Sequence, residues 1–274
     1  MIGQHAPTLA LVALSALLLA VRADIAVAAD PDPWPGLVAD IFGARQIIEN
    51  DQAFSLHAPE NAEDAALVPV TIRMPPDVAN QAKSLTLIVD RNPAPVAATF
   101  RFGEAYKAAP EVGERIISTR LRVESFAKVR AVLETADGRL HMAARFVAGS
   151  GGCSGQGVRD HDEAIAQLGA VKVDLVSDSN REPAWREGTV MIRHPNFTGM
   201  QLNSKGTYTP ARFVDVIEVK RGDELLFRVD GGISIAENPH IRFNLAAAPG
   251  ENITLFASDI DGATFHGQSM SSGS

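Results

Sequence analysis

The strongest constraint on this chain is a series of short segments in which apolar and polar residues alternate, each closed by turn residues. Val68, Val70, Ile72 and Met74 alternate with Pro69, Thr71 and Arg73, then stop at Pro75-Pro76. A period of two places every second side chain on one face, the pattern of a half-buried β-strand. Leu85, Leu87 and Val89 repeat it up to Asn92-Pro93; Phe100 and Phe102 mark a third strand, and Ile117, Thr119, Leu121 and Val123 a fourth. Val129, Ala131 and Leu133 run into Asp137-Gly138, a hairpin signal, and Leu140, Met142, Ala144 and Phe146 return. Strands resume at 171–176, 189–193, 213–220, 224–229, 241–245 and 253–257, with turns at Arg221-Gly222-Asp223 and Asp261-Gly262. Long helical periods are almost wanting. The pattern predicts an all-β chain of two immunoglobulin-like β-sandwich domains in tandem, over 50–148 and 171–267, joined by a Gly-rich loop and short linker over 149–170.

The flanking segments read differently. Residues 1–29 have the form of a signal peptide: Leu9 to Val21 is an apolar core too short for a membrane anchor, and Val27-Ala28-Ala29 offers a cleavage site before Asp30. The expected location of the mature form is outside the cytoplasm, with no membrane attachment. Over 30–49, Pro31 to Pro35 is stiff, and Leu37, Val38, Ile41, Phe42, Ile47 and Ile48 recur at nearly helical spacing. That predicts one or two short amphipathic helices forming a lid over a sheet end. Residues 159–167 are a charged candidate for a short helix, and the Ser/Gly-rich end, 268–274, is expected to be disordered. The net charge of −8 without a Lys/Arg cluster argues against nucleic acid and anionic membranes as partners.

The one cysteine lies in Gly149-Ser150-Gly151-Gly152-Cys153-Ser154-Gly155-Gln156-Gly157. Its glycine neighbours carry no side chains to bury a sulfur and leave the backbone mobile, which predicts a thiol carried on an arm. From Gly149 to Cys153 such an arm extends roughly 13–14 Å. In an exported protein an unpaired cysteine points to a reactive thiol or to interchain pairing; an incidental cysteine in an interdomain hinge is the plainer alternative. No Lys or Arg lies within five residues, Arg159 and His161 being the nearest cations. The expected thiol therefore has a near-ordinary pKa and is activated by whichever enzyme receives it.

Other chemistry is poorly supported. The glycine loop lacks Gly-Lys-Ser/Thr and a G-x-G-x-x-G register, so phosphate and dinucleotide binding are not expected. Asp259-Ile260-Asp261-Gly262 lacks the closing Glu of a calcium loop and reads as a hairpin turn. His57, His141, His161, His194, His240 and His266 show no metal-ligand spacing, and no Ser/His/Asp constellation stands out.

Several stretches of the first half carry a family resemblance: Leu56-His57-Ala58-Pro59-Glu60-Asn61-Ala62-Glu63, Val68-Pro69-Val70, Arg91-Asn92-Pro93-Ala94-Pro95 with Phe100, Ser118-Thr119-Arg120-Leu121-Arg122, and Gly151-Gly152-Cys153-Ser154-Gly155. This half resembles SoxY, the sulfur-carrier subunit of the bacterial thiosulfate-oxidising system. In the second half the stretches are Ile192-Arg193-His194-Pro195-Asn196-Phe197-Thr198-Gly199-Met200, Ile233-Ser234-Ile235-Ala236-Glu237-Asn238-Pro239 with Phe243, and Ser258-Asp259-Ile260-Asp261-Gly262. They resemble SoxZ, the protein that packs against SoxY. The order is similar to that of fused SoxYZ-like carriers associated with quinoprotein dehydrogenases.

The resemblance implies a carrier rather than an enzyme. Cys153 would hold sulfur intermediates covalently, on a loop of Gly151, Gly152, Ser154 and Gly155, with no cofactor besides that adduct. The implied partners are periplasmic sulfur-oxidising enzymes or cytochromes, and a quinoprotein dehydrogenase. Two features depart from the family pattern: Ser154 stands where the family has glycine, and the arm is tethered at both ends. An adaptor or maturation factor for a quinoprotein dehydrogenase, in which Cys153 is dispensable, is the alternative.

Overall fold

The alternating segments form strands that close into two sheets. The first half carries α1 (Trp34–Phe42), β1 (Ile47–Glu49), β2 (Ser55–His57), β3 (Val68–Met74), α2 (Pro76–Ala79), β4 (Ala82–Val89) and β5 (Val96–Phe102). It continues with α3 (Glu104–Lys107), β6 (Arg115–Leu121), β7 (Ala127–Thr135) and β8 (Leu140–Val147). The second half carries α4 (His161–Ala166), β9 (Val171–Ser177), β10 (Trp185–Ile192) and β11 (Val214–Arg221), then β12 (Glu224–Gly231), β13 (His240–Ala246), β14 (Ile253–Asp259) and β15 (Thr264–Gln268). This computed structural model describes Gly3 and residues 31–49, 52–109, 113–155, 161–177, 185–248 and 250–269. The expected signal peptide, Gly3 apart, and the end from residue 270 lie outside the described residues.

The chain is all-β, as its alternation dictates, and the two halves share their sheets. One sheet runs β1-β8-β7-β4-β5-β12-β11-β14-β15 and the other β2-β3-β6-β13-β10-β9. In the larger sheet β5 pairs antiparallel with β12, from Phe102↔Phe227 to Ala98↔Gly231. In the smaller one β6 pairs with β13 at Ser118↔Arg242 and Ile117↔Phe243. An isolated half would leave β5 and β6 as open edges, a template for aggregation; in this chain each edge is closed by the other half.

A cluster of rings fills the core along this junction. Phe227 of the second half lies 5.9 Å from Phe100 and 6.1 Å from Tyr106 of the first, and 4.9 Å edge-on from Phe243. Gly188 is needed here, because a Cβ would sit 2.6 Å from the Phe243 ring. At Gly103 a Cβ would sit 2.0 Å from the Leu225 carbonyl oxygen, so only glycine lets the end of β5 approach β12.

Four details differ from expectation. Ile47 and Ile48 form β1, which pairs in parallel with β8, because that strand's open edge offers backbone partners that a helix would leave unused. The helix α1 covers a sheet face rather than a sheet end: Trp34, Leu37, Ile41 and Phe42 pack on Ile88, Val132, Leu140 and Met142. Beneath it Arg130 binds Asp90 in a buried bidentate pair, with the Trp34 ring 4.0 Å from the guanidinium. Val123 lies beyond the end of β6, and Gln268 and Ser269 are not loose: Gln268 pairs with Thr254, and Ser269 exchanges hydrogen bonds with Ile253.

Because one core spans the junction, both halves should unfold in a single transition. Phe227→Ala should lower the stability of the whole chain by about 3–5 kcal/mol. Urea titrations followed by far-UV dichroism and by tryptophan fluorescence would check this; two separate transitions would contradict it.

Candidate functional site

The residues that surround Cys153 come from both halves. Beyond β6 the chain turns through Arg122-Val123-Glu124 before β7, and beyond β8 it enters the glycine loop; both segments emerge at one end of the sandwich. The loop is tied down by its backbone. Gly151 N–H donates to Glu124 O at 2.8 Å and Gly152 N–H to Val123 O at 3.0 Å. The Glu124 carboxylate accepts from Cys153 N–H at 2.7 Å, from Ser154 N–H at 2.9 Å and from the Ser154 hydroxyl.

The second half supplies the other wall. Thr198 Oγ1 donates to Cys153 O at 2.7 Å, while Thr198 N–H donates to Gln201 Oε1. Arg122, 1% exposed, donates to Gly152 O at 3.0 Å and reaches Pro195 O and Asn196 O at 3.4 and 3.3 Å. Asn92 fastens the seam: its amide donates to Arg122 O and to Ser234 Oγ, and its carbonyl accepts from Glu124 N–H. Ser234 Oγ in turn donates to Ala94 O at 2.8 Å.

The segment 193–199 that presents Thr198 is itself held from below. Asn196 adopts a positive φ of 45°, with its amide group bonded to Ala236 O and Val214 N–H. His194 Nδ1 accepts from Asn196 N–H, which leaves the Nε2 proton for Asp259, 3.4 Å away. Burial keeps this imidazole below its ordinary pKa, and the carboxylate opposes that only in part. Asp259 also binds Arg212 at 2.9 Å and accepts from Asp261 N–H and Ala263 N–H, so Asp259-Ile260-Asp261-Gly262 is a turn and an anchor.

Here the structure corrects the picture of a solvent-borne arm. The Cys153 side chain is fully buried at 0% exposure, and the loop is docked. The reason lies in the glycines, which serve close approach instead of mobility. A Cβ on Gly152 would stand 2.2 Å from Ala65 O and 2.6 Å from Val123 N, and one on Gly155 2.5 Å from Gly151 O. Gly151 adopts a φ of +77°, the left-handed region that favours glycine. Ser154 and Gly155 remain exposed.

The expected ordinary thiol is corrected as well. Burial, reinforced by the Glu124 charge, pushes the Cys153 thiol up to about 12, against the opposing pull of Arg122 and a hydrogen bond with Ser234. At pH 8 only about one thiol in ten thousand is then ionised while docked, so the docked sulfur is protected from oxidants and electrophiles. Arg159 lies outside the described residues. The cation that faces the thiol is Arg122, thirty-one positions earlier, where no local spacing could reveal it.

Asn92, Arg122, Pro195, Asn196, Thr198 and Ser234 all lie in the stretches that carry the family resemblance, where nothing local marks them as site residues. The structure brings those separate stretches together around one sulfur. Glu124 lies outside all of those stretches, and its only sequence signal is a carboxylate two residues after Arg122.

In an all-β chain of two joined halves, the one thiol lies in a socket lined by residues of both. Family comparison then places the chain. Residues 38–153 match the sulfur oxidation protein SoxY and residues 177–269 the sulphur oxidation protein SoxZ, so the chain is a fusion of a SoxY-family region with a SoxZ-family region. It belongs with the sulfur-oxidation carrier proteins, in which SoxY is a carrier and not a catalyst. Among solved structures it is similar to the sulfur carrier protein SoxY from Chlorobium limicola f thiosulfatophilum, at 27% identity over 43% of this chain and 91% of that one, TM-score 0.33. A β-glycosidase from Bacteroides vulgatus aligns at 9% identity over 79% of this chain and 24% of its own, TM-score 0.24. No curated protein sequence matches the chain.

Two outcomes follow from this geometry. Glu124→Ala removes three hydrogen bonds from the loop and should accelerate alkylation of Cys153 by iodoacetamide about 150-fold, at about 1 kcal/mol per hydrogen bond; an unchanged rate would mean that Glu124 does not hold the loop. The pH dependence has a definite sign. The unfolded thiol titrates near 8.5 and the folded one near 12, so the unfolded state releases its proton first as pH rises. The stabilisation is complete below about pH 8.5 and is lost between about 9 and 12. Urea midpoints of the native chain should therefore fall relative to Cys153→Ser from pH 8 to pH 10.5.

Proposed function

We propose that this chain is a periplasmic covalent carrier of sulfur intermediates, with Cys153 as the attachment point and Gly151, Gly152, Ser154 and Gly155 as the loop that presents it. The observation that carries the reading is positional: the SoxY match runs to residue 153 and ends on the one cysteine of the chain. The manner of docking supports it. Seven hydrogen bonds among the described residues hold the loop, three of them to the half-buried Glu124 carboxylate. Polar ties of about 1 kcal/mol each can be exchanged for water or for a partner's groups, whereas a packed apolar plug could not.

In this reading the socket is the resting position and a visiting enzyme draws the loop out. Release removes the burial that suppresses the thiolate, so the sulfur becomes nucleophilic only once undocked. The surroundings suit such a visitor. Phe126 and Phe146, 57% and 52% exposed, stand on the segments that lead out of Glu124 and into Gly149. Leu202 and Tyr208, also exposed, bridge on the hairpin that follows Thr198. The partners are periplasmic sulfur-oxidising enzymes or cytochromes, and the fusion of the two regions in one chain is consistent with service to a quinoprotein dehydrogenase. No cofactor is needed beyond the sulfur adduct on Cys153.

One observation favours a second reading. A fully buried thiol with a raised pKa suits a structural cysteine, and the chain would then be an adaptor or maturation factor for a quinoprotein dehydrogenase. Intact-mass analysis of the protein taken from its native periplasm separates the two. The carrier shows added masses of whole sulfur atoms or oxidised sulfur groups, removed by reductant and missing from Cys153→Ser. An unmodified mass under sulfur-oxidising growth, with Cys153→Ser fully active, would leave the adaptor.

A further inference from the structure

The outer face of the smaller sheet carries a feature that the thiol socket does not use. A groove of about 480 Å³ crosses β3, β6, β13 and β10, lined among others by Thr71, Ser118, Arg120, Met191, His240 and Arg242. No carboxylate is among the residues lining it, in a chain whose net charge is −8. Arg120 donates one hydrogen bond to Asn238 O, and its Nε has no partner among the described residues. Burial lowers the pKa of His240, and the charges of Arg120, Arg242 and Lys172 each push it lower, so three cations lie within electrostatic reach of one imidazole.

Two of these cations already meet acids of the chain, in solvent-exposed pairs weak enough to be exchanged for a partner's carboxylates. Lys172 binds Asp174 at 2.9 Å, and Arg242 lies 3.8 Å from Glu187. Arg120 is on β6, Arg242 on β13 and Lys172 on β9, in the order β6-β13-β10-β9. At about 4.8 Å per strand the cations therefore span roughly 14 Å. That is wider than a single small oxyanion can bridge, and it suits several carboxylates presented side by side. The hydroxyls of Thr71 and Ser118, 2.9 Å apart, add polar partners, and Met191 supplies an adaptable apolar surface.

We propose that this face binds an acidic segment of a partner protein, with successive carboxylates meeting Arg120, Arg242 and Lys172. The inference goes beyond the carrier reading and does not depend on it, because the groove lies on strand faces outside the socket. Arg120 stands two residues before Arg122, so a protein seated here would also lie beside the thiol end of the sandwich.

The test is a titration of the full chain against a dye-labelled octaglutamate peptide, read by fluorescence anisotropy. Binding should saturate, weaken with added sodium chloride, and weaken about tenfold in Lys172→Glu/Arg242→Glu, both side chains being exposed and their loss tolerated by the fold. Lys83→Glu, on the other sheet, should leave binding unchanged, and thermal unfolding should confirm that both variants are folded. Three results would overturn the proposal: no saturable binding, equal weakening by Lys83→Glu, or displacement by inorganic sulfate as effective as by unlabelled peptide, which would mark a small-oxyanion site. Sulfur loading of Cys153 should persist in the double variant, so loss of peptide binding and loss of the carrier role are separately visible.

Discussion

Mutual closure of two sheet edges is the constraint on which the molecule rests. Strand edges carry unpaired N–H and C=O groups that must be covered, and β5 meets β12 while β6 meets β13. Covering them in this way merges two sandwich halves into one pair of sheets. The aromatic cluster around Phe227 then packs side chains from both halves into one core. The socket is a consequence of the same seam. Arg122 reaches across it to Pro195 O and Asn196 O, Asn92 to Ser234, and Thr198 reaches back with its hydroxyl to Cys153 O. Neither half alone could enclose the sulfur.

The seam also sets the chemistry of the thiol. A cysteine in water is a moderate nucleophile and easily oxidised; the same cysteine beside Glu124 and out of water holds its proton. Arg122 keeps a positive charge close to the sulfur without overcoming burial. The fold thus keeps the sulfur protonated and out of water where the chain holds it.

Much of the architecture was legible because strand alternation is a local property. Val68 to Met74 declares its buried face residue by residue, and Asp137-Gly138 and Arg221-Gly222-Asp223 turn where expected; along β8 the alternation holds at Leu140 and Met142 but then breaks, with Ala143 and Val147 buried and Phe146 exposed. The misses have physical causes. Ile47 and Ile48 follow a helical spacing, yet an open edge on β8 captures them as a strand. The glycines around Cys153 looked like a flexible tether, because composition cannot separate a glycine that permits motion from one that permits contact. At Gly152 the decisive neighbours are Ala65 and Val123, far away in sequence.

The sequence by itself determined an all-β chain in two parts, the position of its one cysteine, and the motifs that tie the parts to SoxY and SoxZ. Those properties are carried by neighbours along the chain. Only the tertiary structure decided that the parts share their sheets, that Arg122, Glu124, Thr198 and Ser234 meet around one sulfur, and that the sulfur is hidden. Burial and charge act through space, over a few ångströms between residues dozens of positions apart, and no local pattern encodes that distance.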